Sequence, residues 1–325
     1  MSDQKTMPPI GIIAIGRNEG ARLIACLDSL DTARNHVIYV DSGSTDGSVD
    51  AAESSGAHVV ALNMDTPFTA ARARNAGFAA LRAAAPDIAY VQFLDGDCIL
   101  QTGWLPAAWT FLDAHPDVAV VCGRRREIAP ESSLYNGMID QEWDTPCGLA
   151  KACGGDALMR VTALDAVGAY NPQLIAGEEP EMCVRLRQAG HKIWRLDAEM
   201  TLHDADMTRF GQWWKRSVRA GHAYAEGAAL HGARPERHNM RELRSALIWG
   251  LGLPVLIVLG VALFGAITLG LLAVLPLQVL RLWLRDRDAR QAFFLTLSKF
   301  SETRGIAQFW ISRLRGRRSQ LIEYK

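Results

Sequence analysis

The stretch AYVQFLDGDCIL, residues 89–100, decides the fold class because it joins an apolar run to an abrupt acidic end. Asp95 and Asp97 follow the run, with only Gly96 between them. Apolar runs of this length, rich in valine and aromatic residues, are typical of strands that are buried on both faces. We expect the strand to bring both carboxylates to one point at its carboxyl end.

Similar apolar runs alternate with helical segments through the first 125 residues. They are IGIIAIG (10–16), HVIYVD (36–41), AHVVAL (57–62), AYVQFLD (89–95) and VAVVCG (118–123). This alternation predicts an α/β fold with a mostly parallel, Rossmann-like sheet and helices on both faces. Residues 125–160 lose the alternation, so we expect a loop-rich substrate region there. Helices at 163–166 and 180–190 and a strand at 192–196 are predicted to follow.

The composition argues against several classes of function. Lys plus Arg and Asp plus Glu number 35 each, so the zero net charge gives no support for a nucleic-acid partner. The six cysteines never form a CxxC pair, which argues against zinc and favours reduced, mostly buried thiols in a protein that faces the cytosol. No basic region followed by an apolar stretch opens the chain, so we expect no signal peptide.

A long uncharged segment lies in the C-terminal third of the chain. Residues 245–280 are 36 residues without a charge, twice the ~18 that suggest a transmembrane helix. A helical hairpin turning near Phe264 and Gly265 fits better than one straight helix of about 54 Å. Arginines flank both ends, and the positive-inside rule then places both ends in the cytoplasm. A hairpin that enters only one leaflet and a buried core pair are the alternatives.

The two carboxylates of the opening stretch suggest a cation site. Two acids in one crevice repel each other and resist joint ionisation unless a cation lies beside them. Hard oxygen ligands favour Mg²⁺ or Mn²⁺, and Mg²⁺ commonly joins carboxylates to substrate phosphates. A surface turn and an aspartyl-phosphate phosphatase are alternative interpretations. The phosphatase usually has Thr or Val two residues past the second Asp, where this chain has Ile99.

Polar residues also follow other strands. Asp41 ends the second strand, and the turn after it fits neither a calcium loop nor the GxGxxG pattern of dinucleotide binding. A turn with a helix cap explains residues 44–47 but leaves Asp41 over, so we infer that Asp41 accepts hydrogen bonds from a ribose or base. Arg72 and Arg74 suit diphosphate oxygens, with a solvated helix face as the alternative.

Three glutamates open the helix predicted at 180–190. Glu178, Glu179 and Glu181 surround its first turn, where the helix dipole favours acids, so simple capping is one explanation. Glu181 is spaced to pair with Arg185. This pairing would leave Glu178 or Glu179 free to act as general base for a hydroxyl group.

Six motifs in order resemble those of bacterial family 2 glycosyltransferases of the GT-A fold, membrane-anchored and of the exopolysaccharide or cell-envelope type. The motifs are IAIGRNE, VDSGSTDGS, AARARNAGF, FLDGDC, CGGDALMR and AGEEPEMCVRLRQAG, within residues 10–225. The resemblance implies an inverting transfer of a sugar from a nucleotide-diphosphate sugar, with UDP favoured, to a hydroxyl group.

The resemblance also implies a role for each matching residue. The implied nucleotide-sugar contacts are Glu19, Asp41, Arg74, Asp95, Gly155 and Asp156. For the metal it implies Asp97 as direct ligand, Asp95 nearby and His203 as a third ligand, although a lone histidine is often structural. Glu179 stands where the family commonly has the Asp of a Glu-Asp pair, the catalytic base, with Glu178 in reserve.

The C-terminal part bears on the acceptor. Processive members carry QxxRW, from which QWWKR at 212–216 departs, so we expect transfer of a single sugar. The hairpin motivates a lipid-linked or envelope glycan acceptor at the bacterial inner membrane, with the catalytic domain cytoplasmic. We predict a GT-A domain at 1–235, a transmembrane or re-entrant hairpin at 236–286 and an amphipathic tail at 287–325. A processive polysaccharide synthase and an inactive scaffold of a glycan assembly complex are the alternatives.

Overall fold

The computed structural model describes residues 6–316 and 322–323. The chain separates into two compact units, Met1–Thr208 and Arg209–Lys325. The domain limits expected at residues 235 and 286 stay predictions, and the last residues of the expected tail lie outside the described part. All six cysteines are free and five of them are buried, as the sequence predicted.

The first unit is built on one sheet. Its strands are β1 (Gly11–Gly16), β2 (His36–Asp41), β3 (His58–Ala61), β4 (Tyr90–Asp95), β5 (Cys98–Leu100), β6 (Val118–Glu127), β7 (Gly148–Ala150), β8 (Ala157–Arg160) and β9 (Lys192–His203). The strand order is β3-β2-β1-β4-β8-β6-β9-β5, and β7 pairs with β9. The first four strands of this order are parallel, as are β6 and β9, whereas β8 runs antiparallel between β4 and β6.

Helices cover both faces of this sheet, which confirms the predicted fold class. They are α1 (Ala21–Asp28), α2 (Ser48–Ser54), α3 (Ala70–Ala84), α4 (Trp104–Ala114), α5 (Leu134–Trp143), α6 (Val161–Val167) and α7 (Glu178–Gln188). Consecutive residues of β1, such as Ile12 and Ile13, are fully buried because helices pack on both sides of the strand. Burying each such side chain contributes about 1.5–3 kcal/mol.

Helix α3 matters most for the site, because it carries one of the arginines described below. Thr69 caps its first turn, and the Thr69 hydroxyl accepts the backbone N–H of Arg72 at 3.2 Å. The Arg72 side chain donates to backbone carbonyls of the preceding loop, including that of Asn63 at 2.8 Å. Arg72 therefore fixes the entry to α3, and the helix packs on β1 and β2.

The prediction of a loop-rich region at 125–160 is wrong. The segment contains α5, β7 and all of β8, and β9 extends to His203 instead of ending at residue 196. The short strands have too few residues to show an alternating pattern. The missed part of β9 begins with exposed and half-buried residues and includes charged and polar side chains, so it lacks the continuous apolar run of the central strands.

The second unit is helical. Its elements are α8 (Phe210–His231), α9 (Met240–Leu247), a π-helical turn (Ile248–Gly252), α10 (Leu253–Phe264), a 3₁₀ segment (Ala266–Ala273), α11 (Val274–Asp286) and α12 (Ala289–Leu314). Helices α8 and α12 pack along each other. The ring centroids of Trp213 and Phe294 lie 4.9 Å apart in this packing, and those of His222 and Phe309 lie 5.4 Å apart.

Two stretches of the second unit, Met240–Phe264 and Ala266–Asp286, are long and apolar enough to cross a membrane by length and composition. Their most apolar windows have mean hydropathies of 2.5 and 1.9, with 6% and 0% of residues buried. Gly265 separates them with a φ of 76°, which a residue without a Cβ adopts readily. Thr268 then packs against Gly260, so the chain folds back as a hairpin at the predicted point.

Candidate active site

The carboxyl ends of three neighbouring parallel strands lie side by side. Gly16 at the end of β1 is in register with Asp41 at the end of β2, and Ile15 is in register with Asp95 at the end of β4. Asp97 follows two residues later. The opening stretch therefore delivers both of its carboxylates to the sheet edge where open α/β folds bind ligands.

Asp95 is held by two arginines. Its Oδ1 lies 2.8 Å from Arg74 Nη2, and its Oδ2 lies 3.0 Å from Arg125 Nη2. Burial opposes ionisation of Asp95, but Arg74 and Arg125 outweigh this cost, so the pKa of Asp95 lies below its usual range. The chain itself therefore supplies the positive charge beside this carboxylate.

Asp97 has different neighbours. Strand β5 begins at the next residue and pairs antiparallel with the end of β9, so Cys98 lies opposite His203. Asp97 Oδ2 consequently lies 3.4 Å from His203 Nε2. Asp97, Cys98 and His203 each place a ligand atom within 4.8 Å of the others. Carboxylate oxygen and imidazole nitrogen suit Mn²⁺ better than thiol sulfur does, so Asp97 and His203 are the pair that fits such a cation.

A second carboxylate stands behind His203. Glu127 Oε2 lies 3.7 Å from His203 Nδ1 and accepts the backbone N–H of Ala205 at 3.0 Å. Glu127 Oε1 accepts from Asn136 Nδ2 at 3.0 Å, and the Trp143 ring meets the imidazole edge to face at 4.7 Å. Histidines that bind metals usually have a carboxylate or carbonyl beside the second ring nitrogen, which sets the ring orientation. The surroundings of His203 fit that arrangement.

Arg74 connects the acidic strand end to the glutamates of α7. Its side chain is buried, with Nη1 3.0 Å from Glu178 Oε1 and 2.7 Å from Glu179 Oε1, while Nη2 reaches Asp95. The guanidinium carbon lies 5.5 Å from the centroid of the Tyr170 ring. One arginine therefore holds three carboxylates that are far apart in sequence.

This network corrects two of the sequence-based interpretations. Arg74 does not lie on a solvated helix face, because it is only 2% exposed. Glu181 and Arg185 do pair at 2.8 Å, but Glu178 and Glu179 are not left free, because both bind Arg74. A direct contact between Arg74 and a diphosphate stays a prediction.

The two glutamates on Arg74 differ in exposure. The Glu179 side chain is 14% exposed and that of Glu178 is 4% exposed. Burial, together with the charge of Glu178, raises the pKa of Glu179 to about 7, although Arg74 opposes the shift. A carboxyl group that titrates near neutral pH is well matched to accept a proton from a reacting hydroxyl. Glu179 is therefore the better candidate for the general base.

Gly155 and Asp156 support this cluster from one side. A Cβ at Gly155 would lie 2.6 Å from Arg74 Nη2 and 2.7 Å from Asp95 Oδ2, so a side chain there would displace their ion pair. Asp156 is fully buried, and its oxygens accept from the Asp95 N–H at 3.0 Å and from the Thr201 hydroxyl at 2.7 Å. Asp156 thus positions the backbone of Asp95, and its predicted contact with the donor stays a prediction.

Asp41 stabilises the turn that follows it. Its Oδ2 accepts the backbone N–H groups of Gly43 and Ser44, both at 2.9 Å, and the Tyr39 hydroxyl lies 3.3 Å from its Oδ1. The inference that a turn leaves Asp41 unexplained is therefore wrong, because the carboxylate is part of the turn. The predicted contact of Asp41 with a nucleoside stays a prediction.

Glu19 lies close to the turn between the two aspartates. A Cβ at Gly96 would be 3.5 Å from Glu19 Cγ. Glu19 Oε2 also lies 2.9 Å from Arg22 Nη2, one turn further along the chain. The structure therefore places Glu19 beside the turn that joins Asp95 and Asp97.

The sequence interpretation missed Arg125, Glu127 and Trp143. The Arg125 guanidinium lies 4.8 Å from the Trp143 ring centroid and binds Asp95. A usable signal was present in CGRRRE, residues 122–127, where charges abruptly end an apolar strand just as they do at Asp95. Trp143 lies on α5, in the segment that was expected to be loop-rich, and no local pattern marks it.

A doubly covered α/β sheet hosts many activities, so the class of protein is taken from the sequence comparison. Residues 12–163 match the model of Glycosyl transferase family 2. This match, over just under half of the chain, confirms the resemblance seen in its motifs.

Two curated proteins of Mycobacterium tuberculosis strains, each named pre-mycofactocin glycosyltransferase, are 27% identical to this chain over 229 residues. The alignment covers 66% of this chain and 46% of the relative. The chain thus spans about half the length of the curated relatives it matches.

Solved structures show the same fold at lower identity. A mannosyltransferase from Pyrobaculum calidifontis, in complex with GDP-Man and Mn²⁺, is 18% identical with a TM-score of 0.63, covering 93% of this chain and 88% of its own. Glucosyl-3-phosphoglycerate synthase of Mycobacterium tuberculosis, in complex with Mn²⁺, UDP and glucosyl-3-phosphoglycerate, is 19% identical with a TM-score of 0.51. That match covers 69% of this chain and 80% of the synthase. Both matches establish the GT-A fold.

Proposed function

We propose that this chain is a metal-dependent, inverting glycosyltransferase that moves one sugar from a nucleotide-diphosphate sugar to a hydroxyl group. The observation that carries the proposal is the arrangement at one sheet edge of a family 2 glycosyltransferase domain. There Asp97 lies 3.4 Å from His203, while Arg74 ties neighbouring Asp95 to the glutamates of α7. A pair of residues suited to bind a cation is thus linked, through Asp95 and Arg74, to a candidate base.

Asp97 and His203 would hold the cation, with Asp95 nearby. When bound, Mn²⁺ or Mg²⁺ neutralises the negative charge that develops on the departing diphosphate. Similar structures contain Mn²⁺, which supports a divalent cation in this chain as well. Nitrogen ligation by His203 favours Mn²⁺ over Mg²⁺, which prefers oxygen.

Glu179 would act as the base. It takes the proton of the acceptor hydroxyl while that oxygen attacks the anomeric carbon on the face opposite the diphosphate, which inverts the configuration. Arg74, 2.7 Å from Glu179, positions the carboxylate for this transfer. No general acid is required, because a charge-neutralised diphosphate is already a good leaving group. Glu178 is the alternative base.

The donor contacts would come from the polar residues at the strand ends. The proposed set is Glu19, Asp41, Arg74, Asp95, Gly155 and Asp156, and we favour a UDP-sugar. GDP-Man and UDP accompany the two similar structures, so both nucleotides belong in the donor panel. The departure of residues 212–216 from QxxRW supports transfer of a single sugar.

We propose a lipid-linked or envelope glycan acceptor and attachment to the bacterial inner membrane, with the catalytic unit in the cytoplasm. The two apolar stretches around Gly265 and the arginines at both hairpin ends support this placement. A cysteine introduced at Gly265 tests it. Labelling from the periplasmic side by an impermeant thiol reagent is expected for two spans, and protection would indicate a re-entrant hairpin.

The reaction is tested on the full chain in detergent. We expect Mn²⁺-dependent hydrolysis of one nucleotide sugar, abolished by EDTA and by Asp97→Ala. Asp117→Asn is the matched control, since Asp117 is half-exposed and pairs with Lys192. With the acceptor present, NMR should show the opposite anomeric configuration in the product. No turnover of any nucleotide sugar, or retention of configuration, would contradict the proposal.

A further inference from the structure

A cavity of about 430 Å³ opens where the first candidate membrane span begins. Its lining includes three arginines and three large apolar side chains: Arg237, Arg241, Arg244, Met240, Ile248 and Trp249. Arg237 lies just before α9, and the other two arginines lie one turn apart on α9. Their spacing brings three positive charges to one space.

The three arginines have no acidic partner in the part of the chain that the structure describes. Within residues 6–316 and 322–323, no ion pair joins Arg237, Arg241 or Arg244 to a carboxylate. Three like charges around one cavity repel each other, and an anion between them lowers that repulsion. Guanidinium groups bind phosphate oxygens through paired hydrogen bonds, so a phosphate suits this cavity.

The other side of the cavity is apolar and continuous with the hairpin. Met240, Ile248 and Trp249 belong to the stretch Met240–Phe264, whose most apolar window is only 6% buried. Tryptophan is enriched at the level of lipid head groups, and basic pockets at the ends of membrane helices bind anionic head groups. A ligand that matches both halves of the cavity has a phosphate joined to hydrocarbon.

We propose that this cavity binds the phosphate of an anionic phospholipid, with the acyl chains along the exposed apolar face of α10. The proposal rests on the membrane attachment proposed above and is independent of sugar transfer. Bound lipid would fix the depth of the hairpin at the head-group level, because the three arginines lie at the boundary of the uncharged segment.

Native mass spectrometry of the detergent-solubilised full chain tests the proposal, with phosphatidylglycerol, phosphatidylcholine and inorganic phosphate as probes. We expect one phosphatidylglycerol per chain, and about 100-fold weaker retention after Arg237→Gln, Arg241→Gln and Arg244→Gln together. The control variant, Arg281→Gln with Arg287→Gln and Arg290→Gln, removes the same charge from the other end of the hairpin and should retain the lipid.

Three outcomes would overturn the proposal. Equal loss in both triple variants would indicate general charge attraction, equal retention of phosphatidylcholine would remove the role of the anion, and full competition by inorganic phosphate would indicate a site for a free anion. Folding of both variants is checked by circular dichroism and thermal unfolding. If the wild-type chain binds lipid but turns over no donor, only the proposed transferase function fails.

Quenching of Trp249 provides a second measurement. Phosphatidylglycerol brominated on its acyl chains should quench wild-type fluorescence more strongly than fluorescence of the Trp249→Phe variant. Brominated phosphatidylcholine at the same concentration should show a smaller difference. The same quenching in both proteins would place the lipid elsewhere and contradict the proposal.

Discussion

Asp95 and Asp97 are two residues apart in one turn, yet their surroundings are opposite in kind. Asp95 lies between the guanidinium groups of Arg74 and Arg125, at 2.8 and 3.0 Å. Asp97 lies beside the imidazole of His203, a side chain that binds metals in its neutral form. The difference suggests a division of labour, in which two arginines hold Asp95 and the Asp97–His203 pair offers the ligand atoms for a metal.

The largest expected effect separates these two carboxylates directly. Asp97→Ala should lower the turnover of the nucleotide sugar by about 1000-fold or more, because a bound metal supplies several kcal/mol of charge stabilisation. Asp95→Asn should reduce turnover less while leaving its dependence on Mn²⁺ concentration intact. Steady-state kinetics over a Mn²⁺ series checks both, and a shifted Mn²⁺ optimum in Asp95→Asn alone would reverse the assignment.

Glu178 and Glu179, which bind the same arginine as Asp95, also differ from each other in exposure. Glu179→Gln should cost about 100-fold to 10,000-fold in turnover, the usual worth of a general base. Glu178→Gln preserves the shape of the side chain and its hydrogen bond with Arg74, so it should lower turnover less. Single-turnover rates with saturating acceptor measure both variants, and the reverse order would make Glu178 the base.

The pKa of Glu179 predicts how kcat/KM depends on pH. The base must be ionised, and its pKa lies at about 7, so kcat/KM should rise with pH below 7 and level off above it. Glu179→Gln should lose that acidic limb. The effect of pH on stability has the opposite direction. The folded chain binds this proton more tightly than the unfolded chain, in which the carboxyl has its ordinary pKa of 4.5. This group should therefore destabilise the fold progressively as the pH rises from 4.5 to 7.

A smaller effect is expected for Glu127, which lies behind the Asp97–His203 pair. Glu127→Gln should weaken Mn²⁺ binding about 10-fold to 100-fold, because Glu127 is the carboxylate beside the second ring nitrogen of His203, at 3.7 Å. Glu131→Gln, four residues along the chain and exposed, is the control. Calorimetric titration with Mn²⁺ measures both, and unchanged affinity in Glu127→Gln would give His203 a purely structural role.

The smallest effect concerns the packing beneath Asp95. Gly155→Ala should destabilise the fold by about 1–3 kcal/mol, because the new methyl group would meet the Arg74–Asp95 pair. Gly154→Ala is a matched control, since nothing lies within 4 Å of a Cβ there. Urea unfolding followed by circular dichroism compares the two variants. Equal stability would mean that the pair relaxes at no cost.

The sequence predicted the parallel half of the fold well, and for a physical reason. Strands β1, β2 and β4 are buried on both faces, so each appears as a largely apolar run, and β2 and β4 each end in an aspartate. Registration of those ends then follows from the parallel pairing, which brings Asp41 and Asp95 to one edge. Helix α5 and the short strands β7 and β8 offer no comparable pattern.

The contacts within the site were harder to predict than the residues themselves. Arg74 and Glu178 are 104 residues apart, and no local periodicity indicates that they meet. The charge of Arg74 suggested a diphosphate ligand, whereas the fold assigns it three carboxylates. Asp41 was likewise interpreted from its position alone, and only the structure reveals that its carboxylate closes the following turn.

The division of labour between the two aspartates is tested most directly by electron paramagnetic resonance of Mn²⁺ on the full chain with UDP. We predict one bound Mn²⁺ per wild-type chain. Asp97→Asn should abolish the bound signal at Mn²⁺ concentrations that saturate the wild type, whereas Asp95→Asn should retain it. Wild-type binding in Asp97→Asn, or equal loss in both variants, would contradict the account.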